Sequence, residues 1–182
     1  MRKYLLAGIM IGVAGILYCS TQEKTIAALF FSIGLIYIRI SGLYLYTGQV
    51  QNILLRQTNW KELLFGLFHN LSGVFVVLMT VGIVLLNSKE EFCDSYMAIC
   101  NAKWIYPFYY YIASGIMCGI LMTIATKRNA PLWLSIMCVM AFILAGFNHC
   151  IADFMYINSF DAVLKWFLVL IGNTVGGLLA TT

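Results

Sequence analysis

The sequence predicts an all-α integral membrane protein with six transmembrane helices, built as two inverted three-helix repeats with the second and fifth helices broken. Three observations predict it. Apolar residues make up 62% of the chain and charged residues 10%, with a mean hydropathy of +0.90, too apolar for a soluble fold of 182 residues. The chain also echoes itself about one hundred residues on. Ala7-Gly8-Ile9-Met10-Ile11-Gly12 returns as Ser114-Gly115-Ile116-Met117-Cys118-Gly119, and His69-Asn70-Leu71-Ser72-Gly73 as Gly172-Asn173-Thr174-Val175-Gly176. Between them, Ser41-Gly42-Leu43-Tyr44-Leu45 returns more faintly as Ala145-Gly146-Phe147-Asn148-His149. An odd number of spans per copy forces the second copy to insert upside down, and such repeats place a site near the bilayer midplane. The third observation is a polar interruption at corresponding places in the second and fifth spans.

Taken in order, the spans cover about 4–19, 25–47, 62–86, 104–126, 132–157 and 163–181, each near the roughly 20 residues needed to cross. The chain is thus one transmembrane domain: a first repeat at about 1–86, an outer loop at 87–103 and a second repeat at about 104–182. Met1-Arg2-Lys3 and the apolar run to Cys19 also resemble a signal peptide, but Tyr18 is a poor residue before a cleavage point, and the segment has its echo in the second half. It is expected to stay. Arg2, Lys3, Arg56, Lys61, Lys127 and Arg128 fall on one side against Glu62 alone. The other side mixes Lys24, Lys89, Lys103 and Lys165 with Glu23, Glu90, Glu91, Asp94 and Asp161. The positive-inside rule puts both termini in the cytoplasm. The net charge of +4 follows from this bias; no basic run suggests nucleic acid.

In the second span, Thr47-Gly48-Gln49 is an awkward continuation of a helix, since glycine costs about 1 kcal/mol there. The fifth span carries Gly146-Phe147-Asn148-His149-Cys150-Ile151-Ala152-Asp153. Non-helical backbone at membrane depth is tolerated only inside protein or along a cavity, and paired interruptions point to a transport site. A pair of packed glycine kinks is the alternative. Gly66, Gly73, Gly82, Gly172, Gly176 and Gly177 read as close helix approaches. The six cysteines include no CxxC pair, and no metal site or cofactor motif is expected. Cys93 and Cys100 share the outer loop and would be bonded if it faced an oxidising compartment. Cys19, Cys118, Cys138 and Cys150 read as packing residues. Trp104, Tyr106, Phe108, Tyr109, Tyr110 and Tyr111 form an expected interfacial belt, with Trp60, Trp133 and Trp166 as further anchors.

At these residues the chain resembles the formate/nitrite transporter family. Phe30-Phe31-Ser32-Ile33-Gly34-Leu35-Ile36 is similar to its FSLGL segment, and Gly42-Leu43-Tyr44-Leu45-Tyr46-Thr47-Gly48 to its G-x-(D/E)-L-F-T-(G/S) loop. Gly146-Phe147-Asn148-His149 resembles G-F-E-H, and Gly172-Asn173-Thr174-Val175-Gly176-Gly177 resembles GN-x-x-GG, with Asn70 and Gly73 suiting the matching motif of the third span. The resemblance implies an aquaporin-like fold, a homopentamer, and a pathway centred on His149 with Thr47 facing it. Phe31, Leu35, Leu45, Tyr46 and Phe142 would build the constrictions, and Lys103 would be a vestibule lysine that attracts anions. The chain departs from the pattern at Tyr44 (family acid), Asn148 (Glu), Gly119 (pore Asn), Asp153 (Asn) and Arg39 (apolar).

An ionisable group inside a span is a functional hypothesis by default. His149 titrates in a range suited to proton exchange, whereas His69 reads as structural. Burying a carboxylate among Phe and Leu costs tens of kcal/mol by idealised Born arithmetic. Protonating an acid of pKa about 4 at pH 7 costs only about 4 kcal/mol. A weak acid would therefore cross neutral, with His149 giving the proton or steadying the anion while water gives it. Arg39 and Asp153 are expected to pair across the two broken spans; alternatively Arg39 binds anions, or one or both reach water.

The expected function is a channel or proton-coupled transporter for small monovalent weak-acid anions: formate, nitrite, hydrosulfide or a short carboxylate. The partners would be the anion or its conjugate acid, protons and the lipid bilayer. The expected location is the plasma (inner) membrane of a prokaryote. A neutral-solute pore and a non-transporting scaffold are the other readings. No enzyme motif occurs.

Overall fold

A computed structural model describes residues 1–85 and 90–181; Lys89 and the first residues of the expected outer loop lie outside it. Among the described residues the chain is helical, with no strand. The elements are α1 (Arg2–Cys19), α2 (Lys24–Ile40), α3 (Tyr46–Gln49), α4 (Gln51–Leu54), α5 (Trp60–Leu85), α6 (Glu90–Lys103), α7 (Phe108–Thr126), α8 (Leu132–Ala145), α9 (Cys150–Asp153) with a 3-10 turn over Phe154–Tyr156, and α10 (Phe160–Leu179).

Helix starts follow the local chemistry. Pro107 and Pro131, extended and without an N–H to lose, stand at the starts of α7 and α8. Glu23, Asn59 and Ser159 accept from the N–H groups of Ile26, Glu62 and Ala162 at 2.6, 2.9 and 3.1 Å, capping α2, α5 and α10. By length and composition α1, α5, α7 and α10 can each cross a membrane. The α8–α9 pair, bent by 52°, reads as one more, broken span, and α2 is 17 residues long.

Both breaks are built the same way. At the end of α2, Gly42 (φ 59°) turns the chain, with Gly42 N–H on the Arg39 carbonyl and Leu43 N–H on that of Ile38 at 3.2 and 2.9 Å. At the end of α8, Gly146 (φ 77°) does so, with bonds from Gly146 to Ile143 and Phe147 to Phe142 at 3.1 and 2.8 Å. These are Schellman endings, in which a left-handed glycine lets the outgoing chain satisfy the last carbonyls. The break in the second span is therefore at Ser41–Leu45, not at Thr47-Gly48-Gln49. Gly48 is helical within α3, and its place is explained by close packing on Thr126.

Helix α1 packs on α5 and α7 on α10, while α2 and α8 lie against one another between these pairs. Lys24 donates to the Leu144 carbonyl and Arg39 to Ser135, so α2 and α8 run antiparallel. The helix pairs touch through glycine. A Cβ on Gly8 would strike the Asn70 carbonyl, and one on Gly73 that of Leu5; one on Gly119 would strike the Asn173 carbonyl, and one on Gly176 that of Ile116. Matching contacts thus equate Gly8 with Gly119, one helical turn from the Gly8–Gly115 match of the sequence echo. The outer faces stay apolar: Phe68, Phe75, Ile83, Ile33 and Ile40 are among many exposed large side chains.

Two further expectations fail. Most of the outer loop is helix α6, and Cys93 and Cys100 are free thiols on it. Two turns of helix hold them about 10 Å apart along the axis, beyond disulfide reach. Trp104, Tyr111 and Trp166 are buried inside the protein, where their polar atoms bond to the Tyr156, Lys103 and Cys150 carbonyls; Trp60 and Trp133 are exposed.

Gly8→Ala should destabilise the detergent-solubilised protein by at least about 3 kcal/mol, because the obstacle is backbone and cannot rotate away. Gly82→Ala on α5, where nothing lies within 4 Å of the added carbon, should be neutral or gain about 1 kcal/mol of helix propensity. Thermal unfolding monitored by circular dichroism tests the contrast.

Candidate functional site

Breaking a helix frees backbone groups that must be paired when buried. Two fully buried asparagines do this. Asn70 on α5 accepts from Tyr46 N–H at 2.7 Å and donates to the Tyr44 and Tyr4 carbonyls at 3.1 and 2.6 Å. Asn173 on α10 accepts from Cys150 N–H at 2.8 Å and donates to the Asn148 and Gly115 carbonyls at 2.8 and 2.9 Å. Each caps the short helix after a break and ties that break to α1 or α7. Sequence reasoning placed both residues in close-approach motifs and missed this duty. The available signal was a buried amide in an apolar helix, which needs partners for every polar atom.

So held, the breaks bring Thr47 and His149 together: His149 Nε2 lies 3.0 Å from Thr47 Oγ1, and both residues are buried. His149 also caps α9, its Nδ1 accepting from Ala152 N–H at 3.2 Å. A nitrogen that accepts from a backbone N–H carries no proton, so the ring proton sits on Nε2 and is donated to Thr47. The Phe142 ring stacks on the imidazole with centroids 5.8 Å apart, and Phe31 meets Phe142 edge-on at 6.1 Å. Leu35 and Leu45 are buried. Tyr46 is buried too, but its hydroxyl bonds to Thr174 at 2.8 Å.

On the α9 side of His149, Lys103 Nζ meets Asp153 Oδ1 at 2.8 Å and lies 5.9 Å from the Tyr156 ring centroid. Trp166 and Trp104 donate to the Cys150 and Tyr156 carbonyls at 2.6 and 2.9 Å, fixing this segment. Tyr111 bonds to the Lys103 carbonyl at 3.2 Å. Asn148 donates to Ser114 Oγ at 2.7 Å, while Gly119 lies against Asn173. The expected Arg39–Asp153 pair does not form. Arg39 donates to Ser135 Oγ and to the carbonyls of Ala130 and Lys127 at 2.6 and 3.1 Å, pinning the α7–α8 connection. Antiparallel packing sets Arg39 near the start of α8 and Asp153 beyond its end, about 20 Å away at 1.5 Å per residue.

On the Arg39 side a vestibule of about 1180 Å³ runs in to Leu45 and Gly48, with Lys3, Arg39, Lys127 and Arg128 along its wall. His69 donates from its ring to the Phe65 carbonyl at 2.8 Å within α5, a local contact. Among the described residues no three His, Cys, Asp or Glu side chains gather to hold a metal ion. The arrangement is a buried imidazole with a hydroxyl partner, flanked by aromatic and aliphatic side chains, with an ion pair on one side and a basic vestibule on the other.

A family described as formate/nitrite transporter matches residues 3–182. A solved structure titled a pentameric formate channel with formate bound is 24% identical, covers 97% of this chain and 92% of its own, and superposes with a TM-score of 0.81. An FNT family ion channel is 18% identical, with 99% and 86% covered and a TM-score of 0.84. At these identities the likeness is one of fold. No curated protein matches the chain.

Asn173→Leu should cost about 3–5 kcal/mol, since it strands three buried backbone groups at about 1–3 kcal/mol each with partial relaxation. Asn173→Asp keeps the acceptor for Cys150 and loses both donors, so it should fail similarly. Melting temperatures in detergent, with Thr174→Ser as a conservative control, check both.

Proposed function

The chain belongs to the formate/nitrite transporter family, and on that premise we propose that it is a channel or proton-coupled transporter for small monovalent weak-acid anions such as formate, nitrite, hydrosulfide or short carboxylates. The family comprises channels and transporters, and the protein is a membrane transport protein rather than an enzyme. The observation that carries the proposal is the Thr47–His149 bond, which joins the two broken segments at a buried point.

The permeant crosses Phe31, Phe142, Leu35 and Leu45 as the neutral acid, because a bare anion among these groups is far costlier than a proton. His149 supports this through its Nε2–H, which turns from Thr47 to a passing oxygen or sulfur. Its Nδ1 could take up a proton only by giving up the Ala152 cap. That favours steadying the anion while water gives the proton over direct donation. The basic vestibule raises anion concentration at one mouth. Matched glycine turns, matched asparagine clamps and antiparallel α2 and α8 support two inverted repeats of three spans each. The bias of Arg and Lys toward the side of Lys3, Lys127 and Arg128 supports cytoplasmic termini, and a prokaryotic inner membrane is the proposed setting. The apolar outer faces suit lipid and neighbouring copies in a homopentamer. One observation favours a neutral-solute pore as the second reading: the Lys103 charge is met by Asp153.

Proteoliposomes containing the wild-type protein should take up formate, with a matching change in internal pH. Thr47→Val removes the bond of about 1.4 kcal/mol that His149 Nε2–H must release, so it should not slow uptake and should raise it by up to about tenfold. His149→Ala should slow uptake or uncouple it from protons. Folded wild-type protein that moves none of the named anions would leave the scaffold reading in place.

A further inference from the structure

The ion pair beside His149 is incomplete. Asp153 is 3% exposed; one carboxylate oxygen meets Lys103 at 2.8 Å, and the other, Oδ2, is buried without a hydrogen-bond partner among the described residues. Asp153 lies one turn along α9 from His149, its N–H on the His149 carbonyl at 2.8 Å. Besides His149, neutral with its proton on Nε2, the ionisable groups in electrostatic reach of Asp153 include Tyr18, Tyr110, Tyr156, Cys118 and Cys150, phenols and thiols uncharged at neutral pH. Lys103 is therefore the charge that Asp153 answers, and an approaching anion meets a pair whose opposed charges largely cancel. Of the neutral donors nearby, His149 Nε2–H bonds to Thr47 and the Asn148 amide to Ser114. The Lys103 ammonium has three N–H groups, of which Asp153 Oδ1 takes one, so the pair offers a donor beside an unpaired acceptor; a neutral acid carries groups for both, and its anion only acceptors.

We infer that Asp153 is a specificity-determining residue, whose free oxygen selects solutes bearing a hydrogen-bond donor, the protonated weak acid, over their conjugate anions. A carboxylate oxygen accepts and does not donate, so it favours formic acid O–H, nitrous acid O–H or hydrogen sulfide S–H and repels formate, nitrite or hydrosulfide. The inference rests on the weak-acid conduit proposed above and narrows the form in which the solute enters from this side. On the opposite side, the basic vestibule still favours the anion, so the two mouths differ in the protonation state they admit.

The test uses full-length protein in liposomes and planar bilayers, comparing wild type with Asp153→Asn, which replaces the free acceptor by an amide and leaves the Lys103 charge unopposed. Nitrate, an anion at any working pH, reports anion passage as current; formate uptake across a pH series reports acid passage. Wild type should carry little nitrate current, and its formate uptake should fall about tenfold per pH unit with the concentration of formic acid. Asp153→Asn should raise nitrate current about tenfold and flatten the pH dependence. Equal nitrate currents and equal pH slopes in the two proteins would overturn the inference while leaving the conduit standing. Absence of formate uptake by both folded proteins would overturn the conduit itself. Should Asp153→Asn not assemble, the uncharged Lys103→Gln/Asp153→Asn variant asks the same question: formic acid flux should fall at least about fivefold with nitrate current still low, and unchanged acid flux overturns the inference.

Discussion

The centre of this protein depends on two buried amide side chains. A membrane interior gives a broken helix no water with which to pair its freed backbone, so each break must be bonded from within. Asn70 and Asn173 each supply one acceptor and two donors to three backbone groups, and in doing so fix where the chain resumes as helix. The Thr47–His149 contact is a consequence. Tyr46 and Cys150, whose N–H groups the two asparagines hold, are the immediate neighbours of Thr47 and His149 in sequence. The glycines serve the same end, since the clamps reach their carbonyl partners only where α1 lies on α5 and α7 on α10 nearly backbone to backbone.

Histidine at such a place has a tautomer imposed on it. The cap from Ala152 takes Nδ1 and the hydroxyl of Thr47 takes Nε2–H, so the ring is spent in both directions and aromatic on one face. A group arranged this way is poor at storing a proton and good at lending a donor briefly, because releasing Thr47 costs one neutral hydrogen bond whereas releasing Nδ1 uncaps a buried helix end. The flanking Phe31 and Phe142 keep the cost of any unpaired charge high on that side.

Much of this was legible in the sequence. Hydropathy announced the spans, and the echo around Gly8, Gly42 and Asn70 announced matching halves. The errors share a cause: spacing along one chain was read without the helix it belongs to. Gly8 matches Gly119, because both contact the asparagine of their partner helix; Gly-x-x-x-Gly in both α1 and α7 made a one-turn slip invisible in one dimension. Thr47-Gly48-Gln49 looked like a break because glycine disfavours helix, yet the tertiary contact with Thr126 outweighs about 1 kcal/mol of propensity. Cys93 and Cys100 looked like loop neighbours until α6 set them two turns apart. Trp104 and Trp166 looked like interfacial anchors because their position near span ends was visible and their carbonyl partners were not.

Arg39 and Asp153 show how charges find partners across such a fold. Both stand in broken spans, but antiparallel packing of α2 and α8 sends them to opposite ends of α8. Arg39 therefore takes the carbonyls at the α7 end, where a cation also suits the negative end of the helix dipole. Asp153 takes Lys103 from the end of α6, the helix that fills most of the outer connection. A buried ion pair is a weak source of stability, because desolvation offsets the attraction unless every remaining atom is bonded. Here one oxygen has no hydrogen-bond partner among the described residues, so the pair is less stable than a fully bonded one. A neutral asparagine would fold more easily at that point and leave Lys103 as a bare positive charge. The carboxylate opposes that charge and sets a second acceptor oxygen one turn of α9 from His149.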